Sequence, residues 1–521
     1  MSSSSKRCLR LLEKCKSMKQ LRQAHAQAIA CGLSHNSFTL SRLLAFCSDP
    51  HRGCLDHAWK LFHHIQNPTI CICNTMIKAL LLKSEFATIF DVYSSMLQNG
   101  ISPDAYTLPY LLKACAKLHS SRLGESVHGC SLKSGFVCNT VVGNSLILMY
   151  SGVKDMRAAR YVFDDMGSTS AGAVSWTLMI SGYAKVGDVG TARLLFDQAP
   201  VKDIGVWGAM ISGYVQNDCF KECLYMFRSL QMSGEVPDEG IFVSILGACA
   251  HLGAWDTGIW IHRHLGRIGL PLSIRLSTAL IDMYARCGHL EMAKRVFDEM
   301  PQRDSVCWAV MLSGLALHGD GESALKLFEE MEEAGFRPDD LAFLSVLSAC
   351  SYSGMAYEGL RILDKMCHVY KLEPKSEHYG CIVDLFSRAG LLEEASEIIL
   401  RMPSSSTSSE EAVAWRALLS ACCNQGQAHL AEAAAERLLK LELHSGVYVL
   451  LSNFYLAAGK QEDAKRIREM MRNRGVSKSP GCSSIKVDGK VHEFVAGEKT
   501  HQQMEDIQSV LLEMKKHLSC L

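Results

Sequence analysis

The sequence predicts an all-α solenoid, a stack of helical hairpins that bury their apolar faces against one another. A phrase recurs as W-T-L-M-I-S-G-Y at Trp176, W-G-A-M-I-S-G-Y at Trp207 and W-A-V-M-L-S-G-L at Trp308. Related segments repeat every 31 to 35 residues or so, a period typical of solenoids. The chain has 521 residues, more than one compact core can organise. An extended binding surface is therefore expected, rather than one enclosed active site.

Residues 274–304 show what one repeat is made of. Two apolar stripes at helical spacing predict two helices. The stripes are Ala279, Leu280, Met283 and Tyr284, then Leu290, Ala293, Val296, Phe297 and Met300. Gly288 predicts the end of the first helix, because glycine tolerates the left-handed geometry of a C-cap. Pro301 stands just past the second helix, where a helix cannot easily continue.

The second helix carries a signature of its own, an Ala followed four residues later by a Phe. Residues at this spacing share a helix face, and a small side chain beside a large one lets neighbouring helices interlock. These positions are interpreted as core rather than as functional sites. The pairs are Ala58/Phe62, Ala159/Phe163, Ala192/Phe196, Ala293/Phe297 and Ala324/Phe328.

The cysteines are interpreted as packing residues in a reducing compartment. The chain has 22 of them, and no two form a C-x-x-C pair. Cys115, Cys249 and Cys350 each follow an Ala at a repeat-related position. A disulfide scaffold is not expected at this length, and small buried thiols are common in cores.

Charge and hydropathy restrict the class of partner. The formal net charge is zero, which argues against binding to nucleic acid mainly through a large basic field. No run of 18 apolar residues predicts a membrane span, so no membrane partner is expected. The N-terminal segment through Arg22 is basic, with Glu13 as its one acidic residue, and Ser2 to Ser5 precede the basic residues. This predicts an organelle transit peptide, a first degenerate repeat, or both.

Repeat length alternates in a fixed order. Units 70–104, 204–238 and 305–339 end in Pro-Asp, units 173–203 and 274–304 end in Asp, and variant units begin near Ala105, Glu239 and Asp340. Motifs beginning at Ala412, Val447 and Pro480 follow the repeats. This order resembles the plant pentatricopeptide repeat (PPR) proteins of the PLS subfamily, with two E motifs and an E+ segment, in which Ser484 stands where the family usually has Trp.

The resemblance implies a right-handed α-solenoid superhelix of stacked helix-turn-helix PPR repeats. It divides the chain into an N-terminal segment with degenerate repeats (1–69), tandem repeats of P, L and S types (70–410), E motifs (411–480) and an E+-like C-terminal segment (481–521). It also implies work on organelle RNA, most often site-specific C-to-U editing. The mitochondrion is expected on family grounds, with the chloroplast as the alternative.

Longer members of the family add a deaminase domain whose zinc chemistry needs an H-x-E and a P-C-x-x-C motif. This chain has neither such a thiolate pair nor an H-x-E beyond His289 to Glu291, so no catalytic residue, metal or cofactor is expected and the protein is not predicted to be an enzyme. The resemblance implies a site-recognition factor that recruits a DYW-type cytidine deaminase in trans through its E and E+ region. The alternatives are an organelle RNA-binding factor for splicing, stability or translation, and a protein-binding solenoid of the tetratricopeptide kind.

PPR repeats read single-stranded RNA one base per repeat with two or three side chains. In the family the reading residues are the fifth and the last of each repeat. Carried over, Asn74 with Asp104 implies U, and Asn144 implies a pyrimidine, because its repeat has a two-residue insertion near Gly172. Two further pairs imply G, namely Thr177 with Asp203 and Thr278 with Asp304.

Other repeats are expected to read weakly or not at all. Gly208 and Ala309 stand at the fifth position, opposite Asp238 and Asp339. In the variant units this position holds Pro109, Val243 and Leu344, whose side chains cannot hydrogen-bond a base edge. Each terminal Asp also has an alternative role as the N-cap of the next helix.

Overall fold

The computed structural model describes residues 12, 15–33, 36–49, 52–65, 68–136, 139–167, 172–269, 271–400, 402, 408–441, 444–477, 481–487, 490–496 and 503–518. The basic residues up to Arg10 and Lys14 fall outside this part of the chain. The described part contains 28 α-helices and one pair of strands, and the all-α prediction is confirmed.

The first sixteen helices, in chain order, are α1 Met18–Ala30, α2 Ser37–Cys47, α3 Leu55–His63, α4 Ile70–Leu82, α5 Phe86–Gln98, α6 Thr107–Lys117, α7 Ser121–Lys133, α8 Thr140–Gly152, α9 Met156–Asp165, α10 Ala173–Lys185, α11 Val189–Gln198, α12 Ile204–Gln216, α13 Phe220–Ser233, α14 Glu239–Leu252, α15 Trp255–Ile268 and α16 Ile274–Arg286. The remaining helices and the strands are α17 Leu290–Glu299, α18 Ser305–Leu317, α19 Gly321–Glu333, α20 Asp340–Ser353, α21 Ala356–Asp364 with a π-helical turn Lys365–Val369, α22 Ser376–Ala389, α23 Leu392–Leu400, α24 Ser408–Gln425, α25 Ala428–Leu441, α26 Ser445–Ala457, α27 Gln461–Asn473, β1 Cys482–Val487, β2 Lys490–Val495 and α28 Met504–Leu518.

The chain forms two compact units, Met1–Met283 and Tyr284–Leu521. In the first unit, the first helices of successive hairpins, α2, α4, α6, α8, α10, α12 and α14, each pack on the next. In the second unit, α18, α20, α22, α24 and α26 do the same. Each hairpin buries its apolar faces against its neighbours, as a solenoid requires.

The hairpin predicted at 274–304 is confirmed. Its helices are α16 and α17, and Gly288 between them has a left-handed φ of 89°. Leu280 and Ala293 are fully buried. The five Ala/Phe pairs of the second helices are buried as well, and so are Cys115, Cys249 and Cys350, so their interpretation as core is confirmed.

Glycines of the recurring phrase let first helices approach closely. A Cβ added at Gly213 in α12 would lie 2.7 Å from the Cβ of Ala184 in α10. In the same contact, Asn217 Nδ2 donates to the carbonyls of Ala184 and Gly213, at 2.9 and 2.8 Å. A side chain at the end of one first helix thus clamps the preceding one.

The tryptophans of the recurring phrase pack on the phenylalanines of the preceding second helix. Trp207 meets Phe196 with the ring centroids 4.8 Å apart and the planes inclined at 65°. The pairs Phe163 with Trp176 and Phe297 with Trp308 repeat this arrangement at 4.9 and 5.0 Å. Such edge-to-face contacts join consecutive hairpins through their largest side chains.

The strands are a feature of the fold that the sequence analysis did not anticipate. β1 and β2 pair antiparallel, from Cys482 opposite Val495 to Val487 opposite Lys490. The sequence between them reads Asp-Gly at 488–489, a dipeptide favoured in hairpin turns, and the flanking residues alternate in polarity. That signal was present in the segment assigned to E+. Among the described helices, none is long and apolar enough to cross a membrane.

Candidate functional site

The predicted reading residues lie in the opening turns of the first helices. Asn74, Asn144, Thr177 and Thr278 are each half-buried, on α4, α8, α10 and α16 respectively. Each of these side chains is therefore partly exposed to solvent on a first helix.

Every terminal aspartate caps the helix that follows it. One carboxylate oxygen, Oδ1, accepts a backbone N–H in the first turn of that helix. These bonds join Asp104 to Thr107, Asp203 to Val206, Asp238 to Ile241, Asp304 to Cys307 and Asp339 to Ala342, at 2.8, 2.9, 2.9, 2.9 and 3.0 Å. The capping interpretation is confirmed. Within the described residues, the second oxygen of these five aspartates accepts no hydrogen bond, so capping leaves one acceptor available.

Asn74 and Asp104, predicted as a pair, are in direct contact. Asn74 Nδ2 donates to Asp104 Oδ1 at 3.2 Å, and Thr107 Oγ1 donates to Asn74 Oδ1 at 2.7 Å. Thr107 Oγ1 also lies 2.8 Å from Asp104 Oδ1, but its single hydrogen can serve only one acceptor. The carboxylate cannot donate, so the amide must face it with Nδ2, and the hydroxyl must then serve the amide oxygen.

Burial alone would raise the pKa of Asp104. The bonds donated by Thr107, by Asn74 and by the backbone of Tyr106 outweigh burial and lower that pKa below its ordinary value. Hydrogen bonds to a carboxylate favour its charged form. Asp104 is therefore an anionic acceptor near neutral pH.

Asn144 has a different partner. Ser175, the third residue of the following first helix, donates from Oγ to Asn144 Oδ1 at 2.7 Å. Thr107 holds the same position relative to Asn74. This repeat ends at Gly172 and therefore has no terminal carboxylate. The two-residue insertion was predicted near Gly172, and residues 168–171 lie outside the described residues.

The two reading threonines bond to their own helices. Thr177 Oγ1 donates to the Ala173 carbonyl at 2.9 Å, and Thr278 Oγ1 donates to the Ile274 carbonyl at 2.7 Å. Each hydroxyl hydrogen is thereby used, and the oxygen is left as an acceptor. A Cβ added at Gly205 would lie 3.5 Å from Thr177 Oγ1 and 3.4 Å from Asp203 Oδ1, so these two oxygens flank the same point of the backbone.

The fifth positions that were expected to select bases weakly, Gly208 and Ala309, have no polar side chain. Ala309 is buried, and a Cβ at Gly208 would contact only the Ile241 side chain. Asp238 and Asp339 are exposed, yet the fifth residues opposite them offer no hydrogen bond.

Exposed apolar side chains stand at the second position of five repeats, a feature that the sequence analysis missed. This position lies three residues before the fifth, and residues at that spacing share a helix face. Their recurrence at one repeat position was the signal that could have identified them. These residues are Tyr106, Val141, Val174, Val306 and Leu341, with Tyr106 76% exposed.

An open pocket surrounds the first reading pair. Its volume is about 310 Å³, and it is lined by Asn74 and Asp104 together with Cys71, Lys78, Tyr106 and Tyr110. Aromatic rings, a cation and a polar pair thus meet at one place. Among the described residues, no group of three or more His, Cys, Asp or Glu side chains could hold a metal ion.

Comparison with known proteins identifies the repeat. The PPR repeat family model matches residues 68–117 and 303–351, and the PPR repeat model matches 174–204, 205–235, 276–305 and 377–406. The E motif model matches residues 426–486. The chain is similar in fold to the crystal structure of the maize pentatricopeptide repeat protein PPR10. That likeness has a TM-score of 0.50 at 17% identity and covers 89% of this chain and 77% of the maize chain.

Relatives from Arabidopsis thaliana match over almost the whole chain. A pentatricopeptide repeat-containing protein named as chloroplastic is 34% identical over 97% of this chain and 82% of the relative. One named as mitochondrial is 35% identical over 98% and 89%, and a third is 38% identical over 97% and 94%. The chain therefore belongs to the pentatricopeptide repeat family, and its E motif fits the E-type members of the PLS subfamily.

Proposed function

We propose that this protein binds single-stranded RNA along its row of first helices and selects bases through the fifth and last residues of its repeats. The observation that carries the proposal is the Asn74 and Asp104 pair. Its two side chains are the fifth and the last residues of one repeat, meet at 3.2 Å and open onto a pocket that holds an exposed aromatic ring. Base recognition in single strands combines such a polar edge with a stacking surface.

The polar groups of this pair complement uracil. Asn74 Nδ2 retains one N–H and Asp104 retains one oxygen, so the pair presents a donor beside an acceptor. Uracil offers the matching pattern, a carbonyl beside N3–H. Cytosine has no hydrogen on N3 and would place a lone pair against the carboxylate, so U is favoured over C.

The threonine pair complements guanine. Thr177 Oγ1 and Asp203 both present acceptors, because the threonine hydrogen is donated to the Ala173 carbonyl. Guanine is the base that offers two adjacent donors, N1–H and N2–H, on its Watson–Crick edge. Thr278 carries the same hydrogen bond to its own helix, and its repeat ends in Asp304, so the same preference is proposed there.

Taken together, the repeats from residue 70 to residue 304 predict that the bound RNA reads U-N-Y-G-N-N-G along one direction of the strand. In this pattern Y is a pyrimidine and N is any base. The N positions correspond to repeats with Pro109, Gly208 and Val243 at the fifth position. The exposed second-position side chains would separate consecutive bases by stacking, at about 1–3 kcal/mol per base where the side chain is aromatic.

The RNA-binding array is proposed to act as the site-recognition factor for C-to-U editing in an organelle, recruiting a DYW-type deaminase in trans through the E and E+ region. The E motif match at 426–486 supports this proposal. The relatives' names include both organelles, and we propose the mitochondrion, with the chloroplast as the alternative. The second candidate is an RNA-binding factor for splicing, stability or translation.

The editing role is tested by deep sequencing of organelle transcripts from plants with and without this protein. Loss of conversion at one or a few cytidines, with U-N-Y-G-N-N-G near each, is the expected result. Unchanged editing with an altered intron or transcript end would favour the second candidate.

RNA reading itself is tested by binding at one fixed salt concentration, since phosphate contacts make such affinities strongly salt-dependent. Asn74→Ala or Thr278→Ala should lower affinity for the matched RNA roughly 2- to 10-fold with the fold intact. Equal binding by wild type and both variants would remove the assignment of reading positions.

A chemical footprint adds an independent check. Cys71 is exposed and lines the pocket with Asn74, whereas Cys482 is exposed on β1. Matched RNA should protect Cys71 from alkylation and leave the rate at Cys482 unchanged. Equal rates at Cys71 with and without RNA would show that the pocket is not occupied.

A further inference from the structure

Two asparagines at reading positions share an unexpected partner. Thr107 Oγ1 donates to Asn74 Oδ1, and Ser175 Oγ donates to Asn144 Oδ1, both at 2.7 Å. Each hydroxyl belongs to the third residue of the following repeat and is almost fully buried, at 0% and 1% exposure. The two contacts arise in separate repeats and have the same geometry.

The sequence links the two residue types. From residue 70 to residue 378, Ser or Thr stands at the third position of a repeat only at 107 and 175, in both cases directly after a repeat whose fifth residue is Asn. After the Thr177, Gly208 and Thr278 repeats the third residues are Val206, Ile241 and Cys307. A buried hydroxyl is therefore found where there is an amide oxygen to receive its hydrogen. The other third positions in this range hold apolar residues, Cys307 or His378.

We infer that Ser175 and Thr107 are positioning residues that fix which end of the reading amide faces the RNA. An Asn side chain presents a donor at one end and an acceptor at the other, and a half-turn exchanges them. With Oδ1 held by a buried hydroxyl, Nδ2 lies on the opposite side of the amide. The inference rests on the proposed RNA reading and adds a third specificity-determining position to it.

The two sites differ in how much they depend on the hydroxyl. Asn74 has a second orienting contact, because of the two ends of its amide only Nδ2 can donate to Asp104 Oδ1, and Oδ1 of the amide would be repelled by it. Asn144 stands in the repeat that ends at Gly172, and within the described residues Ser175 is its one hydrogen-bond partner. Ser175 thus takes the orienting role that the terminal carboxylate has in the Asn74 repeat.

The ligand selected by the locked amide is a base with an acceptor on its accessible edge. Both pyrimidines have a carbonyl at C2, and Nδ2 can donate to it. A freely turning amide would also accept from the exocyclic amines of adenine and cytosine. Loss of the hydroxyl should therefore broaden the base preference at this position and not only weaken binding.

The test selects from a pool of single-stranded RNA randomised at every position, using the full chain at one salt concentration. Wild type should enrich a pyrimidine next to the guanine of the Thr177 repeat. Ser175→Ala should reduce that preference roughly 2- to 12-fold, and Thr107→Val should change the preference at the U position of the Asn74 repeat by less.

Three variants serve as controls. Ser145→Ala removes a hydroxyl one residue from Asn144 that bonds to the Val141 carbonyl of its own helix, and should leave the preference unchanged. Ser175→Thr introduces the residue found at 107 and should retain it. Ser175→Val has the shape of Ser175→Thr without the hydroxyl and should lose the pyrimidine preference. Comparing Ser175→Val with Ser175→Thr therefore tests the hydroxyl even if Ser175→Ala does not fold.

The outcomes separate the inference from the proposed function. Enrichment by wild type with an unchanged pyrimidine preference in Ser175→Ala and Ser175→Val would overturn the positioning role alone. No enrichment of any sequence by the wild type would overturn RNA reading and the positioning role together.

Discussion

Gly213 provides a quantitative test of how the first helices stack. A methyl group added there would stand 2.7 Å from the Cβ of Ala184, whereas carbon atoms at optimal contact are about 3.5–4.0 Å apart. Gly213→Ala must therefore push α10 and α12 apart by up to about 1 Å or distort one of them. Gly247 in α14 is the matched control, because a Cβ added there meets nothing within 4 Å.

The expected free energies follow from two opposing terms. Replacing a helical glycine by alanine stabilises the helix by about 0.5–1 kcal/mol, and this is the whole effect expected at Gly247. Overpacking costs about 1–3 kcal/mol. Gly213→Ala should therefore destabilise by up to about 2.5 kcal/mol, and the difference between the two variants, about 1–3 kcal/mol, isolates the steric term.

Hydrogen exchange measured by mass spectrometry is the suitable assay, because long repeat arrays do not unfold in two states. Amides of α10 and α12 should exchange faster in Gly213→Ala. The double variant Ala184→Gly with Gly213→Ala moves the methyl group across the interface, and it should recover about 1–3 kcal/mol of coupling energy. If Gly213→Ala slows exchange as much as Gly247→Ala does, α10 and α12 do not approach each other as closely as described.

The other predictions concern thiols, pH and capping. Burial raises the pKa of Cys115 to about 12, so it should react with iodoacetamide far more slowly than exposed Cys71, and similar rates in peptide mapping would contradict the buried core. Because its hydrogen bonds lower the pKa of Asp104 despite burial, its share of the folding stability is present above the unfolded pKa and is lost as pH falls through the lowered value. Affinity for RNA with U at this repeat should therefore stay level from about pH 8 to pH 5.5, and a gain for C over this range would show protonation. Asp203→Ala and Asp238→Ala should each cost about 1 kcal/mol of stability as lost helix caps. Only Asp203→Ala should also change base preference, as selection from a random RNA pool can show.

The sequence predicted the hairpins because their signals are local. The boundaries of α16 and α17 depend on two apolar stripes and on Gly288, all within one repeat of about 31 residues. The same is true of the aspartate caps, since a cap and the N–H that it binds are three residues apart. Local chemistry sufficed for both.

The bridges from Thr107 and Ser175 could not be predicted in this way. They join residues 33 and 31 positions apart, and the two partners become neighbours only once consecutive hairpins are stacked in register. The strand pair was missed for a different reason. Its Asp-Gly signal and alternating polarity are local, so this pair was predictable in principle, but a resemblance to helical repeats carries no signal for strands.

Capping restricts how such a reading surface can change during evolution. The last residues of repeats in this chain include Thr69, Asn139 and Ser273 as well as the aspartates, and each accepts a backbone N–H from the helix that follows. Asp, Asn, Ser and Thr are the residues that stabilise this position. A mutation within this set alters hydrogen bonding toward a base while the helix keeps its cap. The set of residues allowed at this position is therefore determined by the stability of the protein. Substitutions within this set can change the RNA sequence that is bound without unfolding the repeats.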